Sequence, residues 1–282
     1  MIHTGVTVAL AEEMRAGPFV FHGDLAGSCI AAARIDFDAV EILPASPDDI
    51  DTRQLRDLLN KNGLALAAMG TGAGFVLHGL HLCSSDPSTR ERAVDFIASM
   101  IDHAGPLRAP AVIGSMQGRI SSDMQRDDAI AHLCDALNQL GEKARQHGVP
   151  LILEPLNRYE TNVINRLAQG VELIRSLDTD NVKLLADLFH MNIEEQSICD
   201  ALRDASQFIG HVHFVDSNRR PAGFGHTDLS AVGRALIEID YRGCVSAEVF
   251  PYPDSIRAAE QSLAAMRTCV LEQQPGNGQS PM

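Results

Sequence analysis

Glu154, Asp187, His213 and Glu248 each close a short apolar run, and the steps between them are 33, 26 and 35 residues. Three carboxylates and one imidazole, if brought together, form a hard-to-borderline donor set. Such a set suits a divalent ion, with Mn²⁺ the first choice and Mg²⁺, Co²⁺ or Zn²⁺ as alternatives. The runs are Leu151 to Leu153, Val182 to Ala186, Ile209 to Val212 and Cys244 to Ala247. Each reads as a strand buried on both faces. An Asp or Glu at one strand end could simply cap the next helix. Four potential ligands at four successive strand ends make that reading a poor one.

Each step between ligands is about one β/α unit long. In a (β/α)₈ barrel all strands end on one face, so strand-end side chains converge however far apart they lie in sequence. The order β-α holds along the whole chain. Strands are expected at Val6–Leu10, Ala39–Leu43, Leu64–Met69 and Pro110–Ser115, ahead of the four above. Helices are expected from Asp24 to Arg34, from an Asp48 or Asp51 cap to Asn62 with Gly63 beyond it, from Ser88 to Ala104, from Gln125 to His147 and from Ser255 to Glu272. Phe75 to Pro87 reads as a loop. The fold class is therefore α/β, a single TIM barrel with eight strands and eight helices.

The 282 residues fit one such barrel, about 250 being typical. The barrel domain is placed at 1–272. Residues 273–282, rich in Gln, Pro, Gly and Ser, are expected to form a flexible tail. Twenty-three basic against 37 acidic residues give a net charge of −14, which argues against nucleic acid as a partner and disfavours strongly anionic substrates. No segment reads as a signal peptide or a membrane span, so a cytoplasmic, soluble protein without membrane association is expected. The six cysteines form no CxxC pair and read as free thiols.

Longer motifs surround the four ligands: Leu153-Glu154-Pro155-Leu156-Asn157-Arg158-Tyr159-Glu160, Asp187-Leu188-Phe189-His190, His211-Val212-His213 with Asn218-Arg219, Gly223-Phe224-Gly225-His226-Thr227-Asp228, and Ser246-Ala247-Glu248. With these the chain resembles the sugar isomerase/epimerase superfamily of xylose-isomerase-like barrels. The pattern is most similar to ketose 3-epimerases of the tagatose/psicose type. The match is strong from Pro150 to the last helix, whereas the first half matches in architecture and in details such as Phe37-Asp38-Ala39-Val40-Glu41.

The resemblance implies that Glu154, Asp187, His213 and Glu248 bind the metal and that Glu154 and Glu248 also exchange protons with a sugar from opposite faces. It likewise implies that Glu160, His190 and Arg219 contact substrate hydroxyls, and that the enzyme is a homo-oligomer, a dimer or tetramer. The chemistry asks for such groups independently. Taking a proton from the carbon beside a ketone develops enediolate charge, which a divalent ion stabilises. Inverting that carbon requires one base on each face.

Phe250, two residues beyond Glu248, is expected to wall the pocket. The chain has no tryptophan, so Met69, Met116 or Phe19 would supply other pocket wall. His211 is expected to alternate away from His213. Phe250-Pro251-Tyr252-Pro253 stands where barrels that bind phosphate carry a Gly-rich cradle, so an unphosphorylated sugar is expected. The main alternatives are an aldose–ketose isomerase of hydroxypyruvate type, or a sugar or inosose dehydratase or lyase on the same scaffold. An endonuclease is disfavoured, because Met69-Gly70 and Ser115-Met116 stand where extra metal-binding histidines belong. A sugar-binding barrel without activity is disfavoured by the complete ligand set.

Overall fold

The structure is a computed structural model, and it describes residues 1–273. Nine strands form one all-parallel sheet: β1 (His3–Ala9), β2 (Phe21–His22), β3 (Ala39–Leu43), β4 (Ala65–Gly70), β5 (Ala111–Ile113), β6 (Leu151–Leu153), β7 (Val182–Asp187), β8 (Ile209–His213) and β9 (Cys244–Ala247). β1 pairs with β3 through Gly5–Ala9 and with β9 through His3–Val6. That second pairing closes eight strands into a barrel, while the two-residue β2 adds to β1 at its C-terminal end. A closed parallel barrel leaves no strand edge exposed on the ring.

The crossover helices start and stop where the sequence signals them. Asp24 caps α1 (Leu25–Ile35) through the Gly27 N–H at 2.9 Å. Asp51 caps α2 (Thr52–Asn62), and Gly63 ends it at φ 67°, a left-handed conformation that glycine adopts without strain. Then follow α3 (Ala73–Val76), α4 (Pro87–Ala104) and α5 (Arg126–Arg145). In α5 the buried residues Ala129, Leu133, Ala136, Leu137, Leu140 and Ala144 recur at helical spacing and face the sheet. Burying one such leucine contributes about 1.5–3 kcal/mol. The second half carries α6 (Leu167–Arg175), α7 (Leu188–Glu194), α8 (Ile198–Asp204), α9 (Leu229–Glu238) and α10 (Ser255–Cys269).

The elements depart from the sequence expectation in several places: the described residues hold nine strands rather than eight, β2 being additional, and the strand expected at Pro110–Ser115 is confined to Ala111–Ile113, since a 3₁₀ turn already spans Ser115–Gln117. The described residues hold ten α-helices rather than eight: α3 lies in the expected loop, and two short helices, α7 and α8, follow β7. The first strand begins at His3 rather than Val6, because its N-terminal half is what pairs with β9. The last helix ends at Cys269 and a 3₁₀ turn spans Leu271–Gln273. From residue 274 on, the expected tail lies outside the described residues. Among the described residues no helix is long and apolar enough to cross a membrane.

Most of the core lies between sheet and helices. The barrel interior is divided. Ala68, Val112, Ile152 and Leu185, on β4 to β7, form a small apolar cluster of their own. On β3 and β8 the interior is polar, with Glu41, His211 and His213 buried there. Side chains on a strand alternate, so the residue two beyond Ile152 is Glu154 and the residue two beyond Leu185 is Asp187, both continuing the inward row.

Candidate active site

All four sequence-selected ligands meet at the C-terminal mouth of the barrel. Glu154 follows β6, Asp187 ends β7, His213 ends β8 and Glu248 follows β9, and the four ligand atoms lie within 4.8 Å of one another. His213 Nδ1 is at their centre, 3.5 Å from Glu154 Oε1, 3.1 Å from Asp187 Oδ2 and 3.7 Å from Glu248 Oε2. The four are 1–7 % exposed.

Asp187 divides its oxygens between two tasks. Oδ1 accepts the Phe189 and His190 N–H groups at 2.7 and 3.0 Å, capping α7, and Oδ2 faces His213. Gly114, after β5, lets Glu154 approach: a Cβ on residue 114 would overlap Glu154 Oε2. The Gln117 side chain holds the backbone on both sides, donating to the Glu154 carbonyl at 2.9 Å and accepting the Ile164 N–H at 3.1 Å.

The cluster carries more negative charge than it can satisfy alone. Burial pushes the Glu248 carboxyl up to about 7, with Glu154 and Asp187 adding to the effect and His213 and Arg219 opposing it. Burial would also raise Asp187, yet His190, His213 and Arg219 hold it below the carboxylate range. His213 shows the converse: burial would lower it, but Glu41, Glu248, Asp187 and Glu154 hold it well above the usual imidazole value. Glu154 Oε1 is buried and has no hydrogen-bond partner. A buried carboxylate oxygen without a donor, in a ring of three carboxylates and an imidazole, fits a divalent cation.

Of the expected substrate contacts, Glu160 and Arg219 line the cavity beside this cluster, whereas His190 is buried and is not among the lining residues. Arg219, at φ 59° in the loop after β8, reaches Glu248 Oε2 at 2.9 Å and Glu160 Oε1 at 3.0 Å, and its guanidinium lies 4.8 Å over the Phe189 ring. That loop is held by Asp216, whose carboxylate accepts N–H groups of Ser217, Gly223 and Thr227 at 2.8, 2.8 and 3.1 Å.

His190 is fixed in one tautomer by Asn157. The Asn157 Oδ1 accepts the Tyr159 N–H at 2.9 Å, so its amide nitrogen is the group 2.7 Å from His190 Nδ1. The Asn157 backbone N–H reaches the same ring nitrogen at 3.2 Å. Nδ1 therefore accepts, which leaves Nε2, 3.9 Å from Glu154 Oε1, as the nitrogen free to donate. The same Nε2 lies 3.5 Å from Arg219 Nη2.

Several expectations fail. His211 does not alternate away from His213: residues two apart on a strand share a face, and both rings reach Glu41 across the barrel. Phe250 is 39 % exposed and is not among the residues lining the cavity. The strand ends at Ala247, so strand alternation no longer governs position 250, whose backbone N–H instead donates to the Arg219 carbonyl at 2.8 Å.

The cavity is about 250 Å³ in volume. Met14, Pro18 and Phe19, from the loop between β1 and β2, form apolar wall together with Leu43 and Val76. Phe19 meets the sequence expectation, whereas Met69 and Met116 are fully buried and line none of it. Two residues that the sequence reading gave no role also belong to the site. Glu41 interrupts an otherwise apolar strand, Ala39–Leu43, which was a usable signal, and Asn157 lies inside the motif already noted.

Fold and ligand arrangement together define a xylose isomerase-like barrel, and the family model of that description, xylose isomerase-like TIM barrel, matches residues 29–269. The chain belongs to this family. It is 32 % identical over 226 residues to a D-psicose 3-epimerase of Ruminiclostridium cellulolyticum, covering 77 % of this chain and 75 % of that protein. A solved structure of D-psicose 3-epimerase with D-tagatose from Clostridium cellulolyticum H10 superposes with a TM-score of 0.79 at 25 % identity, over 95 % of this chain and 99 % of that one. A 3-dehydro-D-guloside 4-epimerase of Escherichia coli is 38 % identical over 136 residues, covering 48 % of this chain and 52 % of that protein.

Proposed function

We propose that this protein is a divalent-metal-dependent sugar epimerase that inverts C3 of a free ketose, with Glu154 and Glu248 as the two proton-exchanging groups. The observation that carries the reading is their placement. Both line the same cavity and approach His213 Nδ1 from different strands, β6 and β9, which lie on opposite sides of β7 and β8 in the ring. Epimerisation at carbon beside a ketone needs one group to take the proton and another to return it on the other face. The relatives named as 3-epimerases of ketoses support the position of the reacting carbon.

Glu154, Asp187, His213 and Glu248 would hold the cation, Mn²⁺ first among the candidates, and once bound it would supply the positive charge that stabilises an enediolate. The chain's own groups do the rest. Glu154, with an oxygen free of hydrogen bonds, and Glu248, within reach of Arg219, take and return the proton. The Nε2–H of His190 donates to a substrate oxygen near the carbonyl. Arg219 and Glu160, paired to each other at 3.0 Å, bind hydroxyls at the same end. Leu43, Phe19 and Val76 exclude water from the far wall. The acidic balance and the exposed Phe250-Pro251-Tyr252-Pro253 segment favour an unphosphorylated sugar.

A second reading rests on the 38 % identity to the 3-dehydro-D-guloside 4-epimerase: the same two carboxylates would invert C4 of a sugar whose ketone is at C3. The chemistry beside the ketone is common to both, and the location of the ketone distinguishes them. Metal-loaded protein should interconvert C3 epimers of free ketohexoses and lose that activity to a chelator. Turnover of keto-glycosides with inert ketohexoses would favour the C4 reading. An aldose product would favour the isomerase, and loss of water from the substrate the dehydratase.

A further inference from the structure

Glu41 is buried in the middle of β3, 2 % exposed, and crosses the barrel interior to β8. Its Oε2 is 2.9 Å from His211 Nε2 and its Oε1 is 3.2 Å from His213 Nε2. His213 turns its other nitrogen, Nδ1, toward Glu154, Asp187 and Glu248. The two faces of one imidazole therefore meet two different acidic groups. A carboxylate in a barrel interior is costly unless fully paired, and Glu41 is paired twice, both times with histidine.

The donor atoms of Glu41, His211 and His213 also lie within 4.8 Å of one another, which could be read as a second metal centre. The chemistry of imidazole argues against it. A neutral ring has one lone pair. If Nδ1 of His213 faces the cation among the three carboxylates, Nε2 must carry the proton, and a protonated nitrogen is a donor to Glu41 rather than a ligand.

We infer that Glu41 is a positioning residue for the cation site: it accepts the His213 Nε2–H, which fixes the ring with its Nδ1 lone pair toward Glu154, Asp187 and Glu248, and His211 fixes Glu41 in turn. The inference rests on the cation site proposed above. A carboxylate behind a ligating histidine sets the ring's orientation and increases its basicity. The same contacts explain why a second histidine lies two residues before the ligand on β8: it occupies the second oxygen of Glu41, leaving the first for His213.

The test is titration of the full-length protein with Mn²⁺ alone, in wild type, Glu41→Leu and Glu41→Gln, followed by free-Mn²⁺ electron paramagnetic resonance. Leu fills a similar volume without an acceptor, whereas Gln retains an oxygen for the Nε2–H but not the charge. Expected is a loss of affinity of ~10–100-fold in Glu41→Leu, with Glu41→Gln intermediate and the far-ultraviolet circular dichroism of both unchanged. At saturating Mn²⁺ the nitrogen modulation from the His213 ligand should persist in Glu41→Gln and fade in Glu41→Leu. A purely structural Glu41 would alter melting and leave that modulation in place.

Wild-type affinity in Glu41→Leu would overturn the inference while leaving the cation site intact. Wild-type protein that binds no Mn²⁺ would overturn both. Should Glu41→Leu fail to fold, Glu41→Gln must still bind Mn²⁺ more weakly than wild type, and equal binding there also sinks the inference.

Discussion

Arg219 Nη2 lies 2.9 Å from Glu248 Oε2, the oxygen that faces His213 Nδ1 at 3.7 Å. One carboxylate oxygen is therefore shared between a fixed guanidinium and the proposed cation position. The arrangement ties the loop after β8 to the chemistry at the end of β9. A planar guanidinium also spans Glu160 and stacks on Phe189, which a lysine ammonium cannot reproduce. Arg219→Lys is expected to retain the fold and to lower kcat/KM by at least ~10-fold, about 1.4 kcal/mol of transition-state stabilisation. Steady-state kinetics with unchanged circular dichroism checks it, and wild-type kcat/KM would remove Arg219 from the site.

In the proposed site Asp187 would separate cation binding from folding within one side chain. Asp187→Asn keeps an oxygen for the α7 cap, since Asn caps as well as Asp, but replaces the charged oxygen facing His213. It should bind little metal and melt like the wild type. Asp187→Ala loses the cap as well and should cost about 1 kcal/mol more in stability. Elemental analysis and urea denaturation of the two variants separate these effects; full metal occupancy in Asp187→Asn would refute the ligand assignment.

Gly114 is the backbone that makes room for Glu154. Gly114→Ala should displace the Glu154 carboxylate, and a displacement on the scale of 1 Å at a reacting group costs about 100-fold in rate. The expected pattern is a fall in kcat with a folded protein. Unchanged kcat would show that Glu154 tolerates the shift and is not held where the chemistry requires.

Asp216 gives the loop that carries Arg219 a defined acid sensitivity. Burial would raise its carboxyl, but the backbone N–H groups of Gly225, Thr227, Ser217 and Gly223 hold it below its ordinary value of 3.8. The folded pKa is depressed, so the stabilisation is complete above pH 3.8 and is lost as pH falls through the folded value. Asp216→Asn, which places an amide N–H where an acceptor is needed, should cost about 1–3 kcal/mol and abolish this part of the acid dependence. Urea denaturation of both proteins between pH 3 and pH 6 measures it, and parallel pH curves would contradict it.

The clustering of Glu154, Asp187, His213 and Glu248 was legible because each is a charged or imidazole side chain at the end of an apolar run. Helix limits at Asp24, Asp51 and Gly63 were legible for a local reason: capping chemistry is read within three residues. The pocket wall was not. Met14 and Pro18 reach the cavity from an irregular loop, whose path no periodicity encodes. Phe250 was misplaced because strand alternation was extended past Ala247, where the strand ends. Glu41 needed a partner 172 residues away in sequence, and only barrel closure brings β3 and β8 to face one another.

In the proposed reaction a proton leaves one face of C3 and returns to the other through Glu154 and Glu248. The most direct measurement is turnover of a free ketohexose by the metal-loaded protein in D₂O, with deuterium located in the product by nuclear magnetic resonance. Expected are deuterium at C3 and none at C1, and a loss of turnover of ~10²–10⁴-fold when either glutamate is replaced by glutamine. Deuterium at C1 or C2 with an aldose as product, or undiminished turnover in Glu248→Gln, would contradict it.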